Sequence, residues 1–372
     1  MEGLREALLV AVLFGQEREA EHGLRVARPG HVEVVFVVGV VEHRVAVDLV
    51  DAGHRADVAG DADVAIIVVG YTKADEGEFI GDSGTAHLTS LMPASDEPEV
   101  VAAYQAMRAD EEHDFQPPGD ATGRSGFGFA KGGDRESLRL RPEDEALIAE
   151  VVAANPRTVV CLVAGSAVLV EGWDQRVPAL VQSWYAGMEG GHALADVLLG
   201  RAEPSGRLPF SVPSDPEHLP PFDRDAVEVT YDASHGYGKL AADGHVAAYP
   251  FGFGLSYTEL SLHGSGAAPH GDEIVATTTA RNTGGRPGVE VVQAYASVGD
   301  GPAKLVGFAR VELDPGEHRV VEVRFPVDRL ARWDVDRRDW APVTGPVHVS
   351  LARHAADPDA TTTRVDLAPP PT

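Results

Sequence analysis

The sequence predicts an α/β unit, with a mostly parallel sheet sandwiched by helices, followed by an all-β sandwich. Three observations carry this. Residues 61–210 alternate continuous apolar runs with amphipathic segments, the pattern of buried parallel strands and covering helices. From residue 259 the pattern switches to short alternating strands divided by turn signals. Between the two, residues 211–258 read as a turn-rich connector, including Pro220-Pro221 and Tyr249-Pro250-Phe251-Gly252.

Residues 1–60 come first and fit poorly. They are rich in Val, His, Arg and Glu, as in His31-Val32-Glu33-Val34-Val35-Phe36-Val37-Val38-Gly39, and hold strand-like runs but few cap or turn signals. Val64–Gly70 follows as a continuous apolar run and is read as a buried strand. Pro142 with Glu143, Asp144 and Glu145 opens a helix, because proline suits the first turn and acids suit the helix N-terminus. Leu147, Ile148, Val151 and Val152 give that helix its apolar face, and Asn155-Pro156 stops it. Strands are expected at 157–165 and 177–185, and a helix from Glu189-Gly190-Gly191 to Gly200. The β region shows strands at Glu273–Arg281, Val289–Ala296, His318–Phe325 and Val347–Ala352. Turns such as Asp314-Pro315-Gly316-Glu317 separate them. The tail 368–371, Ala-Pro-Pro-Pro, is expected to fray.

Composition narrows the function. An apolar content of 44% is enough for real cores. A net charge of −27 argues against nucleic acid and anionic membrane as partners and suits neutral or cationic small molecules. The single cysteine, Cys161, lies in an apolar run and is expected to be core. It rules out a disulfide framework and a cysteine-pair zinc site. The apolar run 7–14 is too short to span a bilayer, is preceded by Glu2 and Glu6, and lacks a small-residue cleavage site. With neither asparagine in a glycosylation sequon, a cytoplasmic location is expected.

Most catalytic signatures are missing. Gly252-Phe253-Gly254 and Gly126-Phe127-Gly128 lack the third glycine of a dinucleotide fingerprint, and there is no phosphate loop. Gly254-Leu255-Ser256-Tyr257-Thr258 fails the nucleophile elbow at its last position. The 15 histidines have no ligand spacing, so neither metal nor cofactor is expected. Trp173, Trp184, Trp333 and Trp340 are read as packing residues.

Carboxylate chemistry remains. Tyr71 to Ile80, YTKADEGEFI, follows the strand at Val64–Gly70 and crowds Asp75, Glu76 and Glu78 into four positions. Such a loop sits where reactive groups gather in open α/β sheets. Crowding raises at least one carboxyl pKa, which equips it as a general acid. Taken alone, the segment also reads as a solvated surface loop. Asp134 beside Arg135 reads as an ion-paired anchor, since the guanidinium favours the charged carboxylate.

Five segments, in order, resemble glycoside hydrolase family 3, the β-glucosidase group, over residues 60–367. They are ADVAIIVVGYTKADEGEFI, GGDRESLRL, NPRTVVCLVAGSAV, WYAGMEGGHALADVLLGRAEPSGRLPFSVP and YPFGFGLSYT. EVVQAYASV and GFARVELDPGEHRVVEVRF resemble strands of the immunoglobulin-like, fibronectin type III-like sandwich that follows in many members. The resemblance implies a family C-terminal α/β sandwich at 61–210 and the fibronectin type III-like domain at 259–367. It implies a retaining glycosidase acting on a β-linked glucoside or oligosaccharide through a covalent intermediate. Glu76, followed by Gly77, takes the acid/base role, with Glu78 as the fallback. The nucleophilic aspartate belongs to a preceding (β/α)₈ barrel, whose motif this sequence does not show. By this resemblance the chain is inactive alone and pairs with a separate barrel. Two other readings stay open: a non-catalytic carbohydrate-binding or structural module, and an unrelated doubly wound small-molecule binder.

Overall fold

The structure, a computed structural model, describes residues 34–38, 59–60, 62–71, 75, 135, 137–221, 223, 226–231 and 234–367. The chain divides into two compact units. The first is Met1–Val168 with Gly172–His192, and the second is Leu169–Glu171 with Ala193–Thr372.

The first unit is built on four strands: β1 (Val34–Val38), β2 (Val64–Gly70), β3 (Thr158–Val163) and β4 (Ala179–Gln182). They lie in the order β1-β2-β3-β4, and every neighbouring pair is parallel. The expected strands at 64–70, 157–165 and 177–185 are all present, the last two shorter than expected. Continuous apolar sequence makes them core strands. Ala65, Ile66, Ile67, Val160, Cys161 and Leu162 are all buried.

Helix α1 (Pro142–Ala154) packs on β2 and β3. It begins as expected, with Pro142 in its first turn beside Glu143, Asp144 and Glu145. Leu147, Ile148 and Val151 form its buried face. Asn155 ends α1 in extended conformation, and its buried side chain then joins two distant pieces of chain. Its amide nitrogen donates to the carbonyls of Ala59 and Ala62, at 2.9 Å each, and its amide oxygen accepts from Arg157 N at 2.8 Å. Helix α2 (Gly190–Leu198) follows β4.

The second unit contains a sandwich of two antiparallel sheets. One has the order β10-β9-β14-β15, from β9 (Gly288–Val298), β10 (Lys304–Leu313), β14 (Gly345–Ala352) and β15 (Thr361–Leu367). The other is β11-β8-β7, from β7 (Leu260–His270), β8 (Glu273–Asn282) and β11 (His318–Pro326). Alternation places Ile274, Ala276, Ala280, Val292, Ala294, Val323, Phe325, Val347 and Val349 in one shared core. Strand β7, with its two polar-to-glycine steps and Pro269, is an edge strand, where proline is tolerated.

The stretch expected as a connector has structure of its own. It carries helix α3 (Gly236–Asp243) and the paired short strands β5 (Val212–Pro213) and β6 (Ala247–Tyr249). It is fastened to β9 by a buried ion pair. Arg207 Nη2 lies 2.9 Å from Glu290 Oε1, with side chains only 10% and 4% exposed. Gln293 on β9 donates to Gly252 O at 2.9 Å. Gly252 has φ of 81°, and a Cβ there would stand 2.0 Å from Gln293 Oε1, so glycine alone fits.

Two stability predictions follow from these buried polar groups. Asn155→Ala strands two carbonyls and one amide at the foot of the parallel sheet. Urea unfolding should show a loss of about 1–3 kcal/mol in the first unit. Arg207→Met leaves Glu290 charged, buried and unpaired, and should cost about 3–5 kcal/mol. The double variant Arg207→Met with Glu290→Leu should recover most of that loss.

Candidate functional site

The site is built at the carboxyl edge of the parallel sheet. β2 leaves that edge through Gly70, whose φ is 154° and where a Cβ would fall 1.8 Å from Val163 O on β3. Only glycine allows the chain to pass so close to its neighbour. Tyr71 then donates its amide to Val163 O at 3.0 Å and its hydroxyl to Arg139 O at 2.8 Å. The guanidinium of Arg135 lies 4.4 Å from the centre of the Tyr71 ring, a cation–π contact. Arg135 also reaches the segment after β3, donating to Ala167 O at 3.1 Å and to Ser166 Oγ.

Four residues beyond Tyr71, Asp75 pairs with Arg141. Arg141 Nε donates to Asp75 Oδ1 at 3.3 Å, and its Nη2 bonds the other carboxylate oxygen. Both side chains are about three-quarters covered. Arg141 is the N-cap residue of α1 but makes no cap bond with its side chain; the guanidinium is committed to Asp75 instead. Thus the acidic segment is fixed at Tyr71 and again at Asp75, the residue directly before Glu76.

Glu76 and Glu78, the sequence candidates for acid/base chemistry, lie outside the described residues, as does Asp134. Arg135, the neighbour of Asp134 in sequence, bonds Ser166 and Ala167 and lies against the Tyr71 ring. The sequence offered no local cue for Arg141, which sits 66 residues from its partner. Nor did it flag Asp144, read only as a helix-opening acid. Asp144 is buried in the first turn of α1, and its pKa is raised from 3.8 to about 6. Burial is the main cause. The Arg141 charge opposes it, and the Glu143 and Asp75 carboxylates add to it.

The same edge carries the chain after β4. Trp184 has φ of 55°, rare for a bulky side chain. Tyr185 and Met188 just beyond it are exposed. Of the four tryptophans expected to pack, Trp173 is fully buried. Trp333 and Trp340 are corrections to that expectation: they are 52% and 60% exposed. They lie on a two-stranded ribbon, facing each other. Cys161 is fully buried, its pKa pushed up to about 12 by burial, so it is a neutral packing residue. Among the described residues no group of three or more histidine, cysteine or carboxylate side chains is placed to hold a metal ion. No helix among them is long and apolar enough to cross a membrane.

Comparison with known proteins gives this edge its family. Residues 21–257 match the glycosyl hydrolase family 3 C-terminal domain, and residues 290–355 match the fibronectin type III-like domain. The chain belongs to glycosyl hydrolase family 3, of which it carries the C-terminal domain. The match begins well before residue 60, where the sequence resemblance starts, and takes in β1.

Among relatives, Beta-glucosidase B of Emericella nidulans is 34% identical over 261 residues, covering 63% of this chain and 31% of that protein. An exo-alpha-(1->6)-L-arabinopyranosidase of Bifidobacterium longum is 31% identical over 278 residues, covering 72% of this chain and 35% of that protein. The chain therefore spans about a third of the length of these relatives. Among solved structures, the beta-glucosidase of Kluyveromyces marxianus in complex with glucose superimposes with a TM-score of 0.64 at 27% identity. The match covers 85% of this chain and 33% of that one. DesR, a beta-glucosidase from Streptomyces venezuelae, gives 0.61 at 26%, covering 84% and 35%.

The raised pKa of Asp144 gives a pH prediction. An acid whose folded pKa exceeds its unfolded value holds a proton in the folded state between about pH 3.8 and 6. Folded stability therefore falls as pH rises through that window, and the penalty is complete above it. Asp144→Asn removes the penalty. Its thermal midpoint should exceed wild type at pH 7 and match it near pH 3.5; an equal gain at both pH values would contradict the shift.

Proposed function

We propose that this chain supplies the acid/base half of a retaining β-glucosidase-type glycoside hydrolase. The observation that carries the reading is the double tether of the acidic segment. Tyr71 and the Asp75–Arg141 pair hold the chain one residue short of Glu76, at the sheet edge, within the region matched to the family. The names of the relatives point to glycosidases, most of them beta-glucosidases.

In this reading, a barrel aspartate attacks the anomeric carbon of a β-glucoside. Glu76 gives its proton to the departing glycosidic oxygen, and a glycosyl-enzyme ester forms. A water then attacks the same anomeric carbon, the bond from that carbon to the aspartate oxygen breaks and frees the carboxylate, and Glu76 takes the water's proton, which restores both carboxyl groups. Arg141 has a positioning role. By pairing with Asp75 it offsets one negative charge of the acidic segment. Glu78 is the alternative donor. With the nucleophile on the barrel, the 372-residue chain alone does not hydrolyse glucosides.

The test combines the chain with a barrel from a matching family member and measures cellobiose cleavage. Activity should require both parts. Glu76→Gln should lower the rate by about 10²–10⁴-fold, the usual range for a lost general acid. If Glu76→Gln is silent and Glu78→Gln is not, the role passes to Glu78. If both are silent, the acidic segment is not catalytic.

A further inference from the structure

The second unit carries an aromatic feature that its own fold does not use up. β12 (Arg332–Asp334) and β13 (Asp339–Ala341) form an isolated antiparallel ribbon, in which Trp333 stands directly opposite Trp340. Directly opposed residues project from the same face. The rings meet edge to face, with centroids 5.6 Å apart and planes at 81°. That contact stabilises the ribbon, but it occupies at most one of the four indole faces. Trp333 remains 52% exposed, Trp340 60%, and the turn residue Val335 76%.

The turn between the strands is held in one shape. Asp334 Oδ1 accepts from the amides of Asp336 and Arg337, at 3.0 Å each, and Asp339 Oδ1 accepts from Trp340 N at 2.8 Å. Arg332, Arg337 and Arg338 balance Asp334, Asp336 and Asp339, so this ribbon is neutral within a chain of net charge −27.

We propose that this ribbon is a binding site for a neutral β-linked glucan chain. Size decides against a protein partner. Two half-exposed indoles, at up to about 250 Å² each, leave on the order of 300 Å² open. A stable protein interface needs roughly 800 Å² from each partner. Charge decides against an ionic ligand, since the ribbon has no net charge to complement one. A β-linked glucose ring fits what remains. Its equatorial hydroxyls leave two flat faces of C–H groups that stack on an indole face. Its rim of hydroxyls meets the arginine and aspartate side chains around the pair. The choice of a β-glucan over other neutral sugars rests on the proposed function. Binding, however, is read without turnover, so its failure would leave the Glu76 reading intact.

The experiment is native gel electrophoresis of the full chain with and without hydroxyethylcellulose in the gel. The wild-type chain should be retarded by the polysaccharide. Trp333→Ala with Trp340→Ala should lose about tenfold or more in affinity while keeping a cooperative unfolding transition. An unretarded wild-type chain would overturn the proposal, as would equal retardation of the double variant. Should the double variant unfold, oxidation of the wild-type chain by N-bromosuccinimide decides. Cellohexaose should slow oxidation of Trp333 and Trp340 in the 332–341 peptide, and equal rates with and without it would sink the idea.

Discussion

Parallel strands have no tight turn to set their register, and the first unit depends on how this is solved. β2 and β3 are neighbours in the sheet, yet Gly70 and Thr158 are far apart in the chain. Burial of both faces demands a unique pairing but does not by itself choose it. Asn155 makes the choice. It fixes the carbonyls of Ala59 and Ala62 before β2 and the amide of Arg157 before β3, all from one buried side chain. Thr158 adds a 2.6 Å bond from its hydroxyl to Asn155 O. With the amino ends of both strands fixed, their carboxyl ends come level. Only then can Tyr71 bond Val163 O and Arg135 span from Tyr71 to Ser166.

The second unit uses the same device with charge. Arg207 and Glu290 bring the turn-rich stretch onto β9, and around them Gln293, Gly252, Phe251 and Ala355 complete a polar clasp. Tyr295 donates to Gln293 Oε1 at 2.7 Å, and Tyr237 packs on Phe251 with ring centroids 4.7 Å apart. The segments PSGRLP and YPFGFGLSYT, the most distinctive strings in the sequence, are therefore fastening parts rather than reacting parts. Their glycines and arginine answer to close approach and to a buried charge.

This explains what the sequence made legible. Periodicity is local, so β2, β3, α1, β8, β9, β11 and β14 could be read within a few residues of their bounds. Start and stop signals at Pro142 and Asn155 were equally local. The pairing of Asp75 with Arg141 is not local, and no pattern in either neighbourhood announces it. The raised pKa of Asp144 depends on how much protein covers it, which no spacing reveals. Trp333 and Trp340 were misjudged for a related reason. Tryptophan is usually buried, but a two-stranded ribbon has only one layer and cannot cover its own face. Glu76 is a candidate from the sequence, and what the structure describes is Asp75 before it, paired with Arg141.

Arg135 on Tyr71 and Arg141 on Asp75 also join stretches of chain that are distant in sequence, with Arg141 66 residues from Asp75. Each guanidinium therefore serves two stretches at once. Losing either one would loosen the exit of β2 together with the chain that leads into α1.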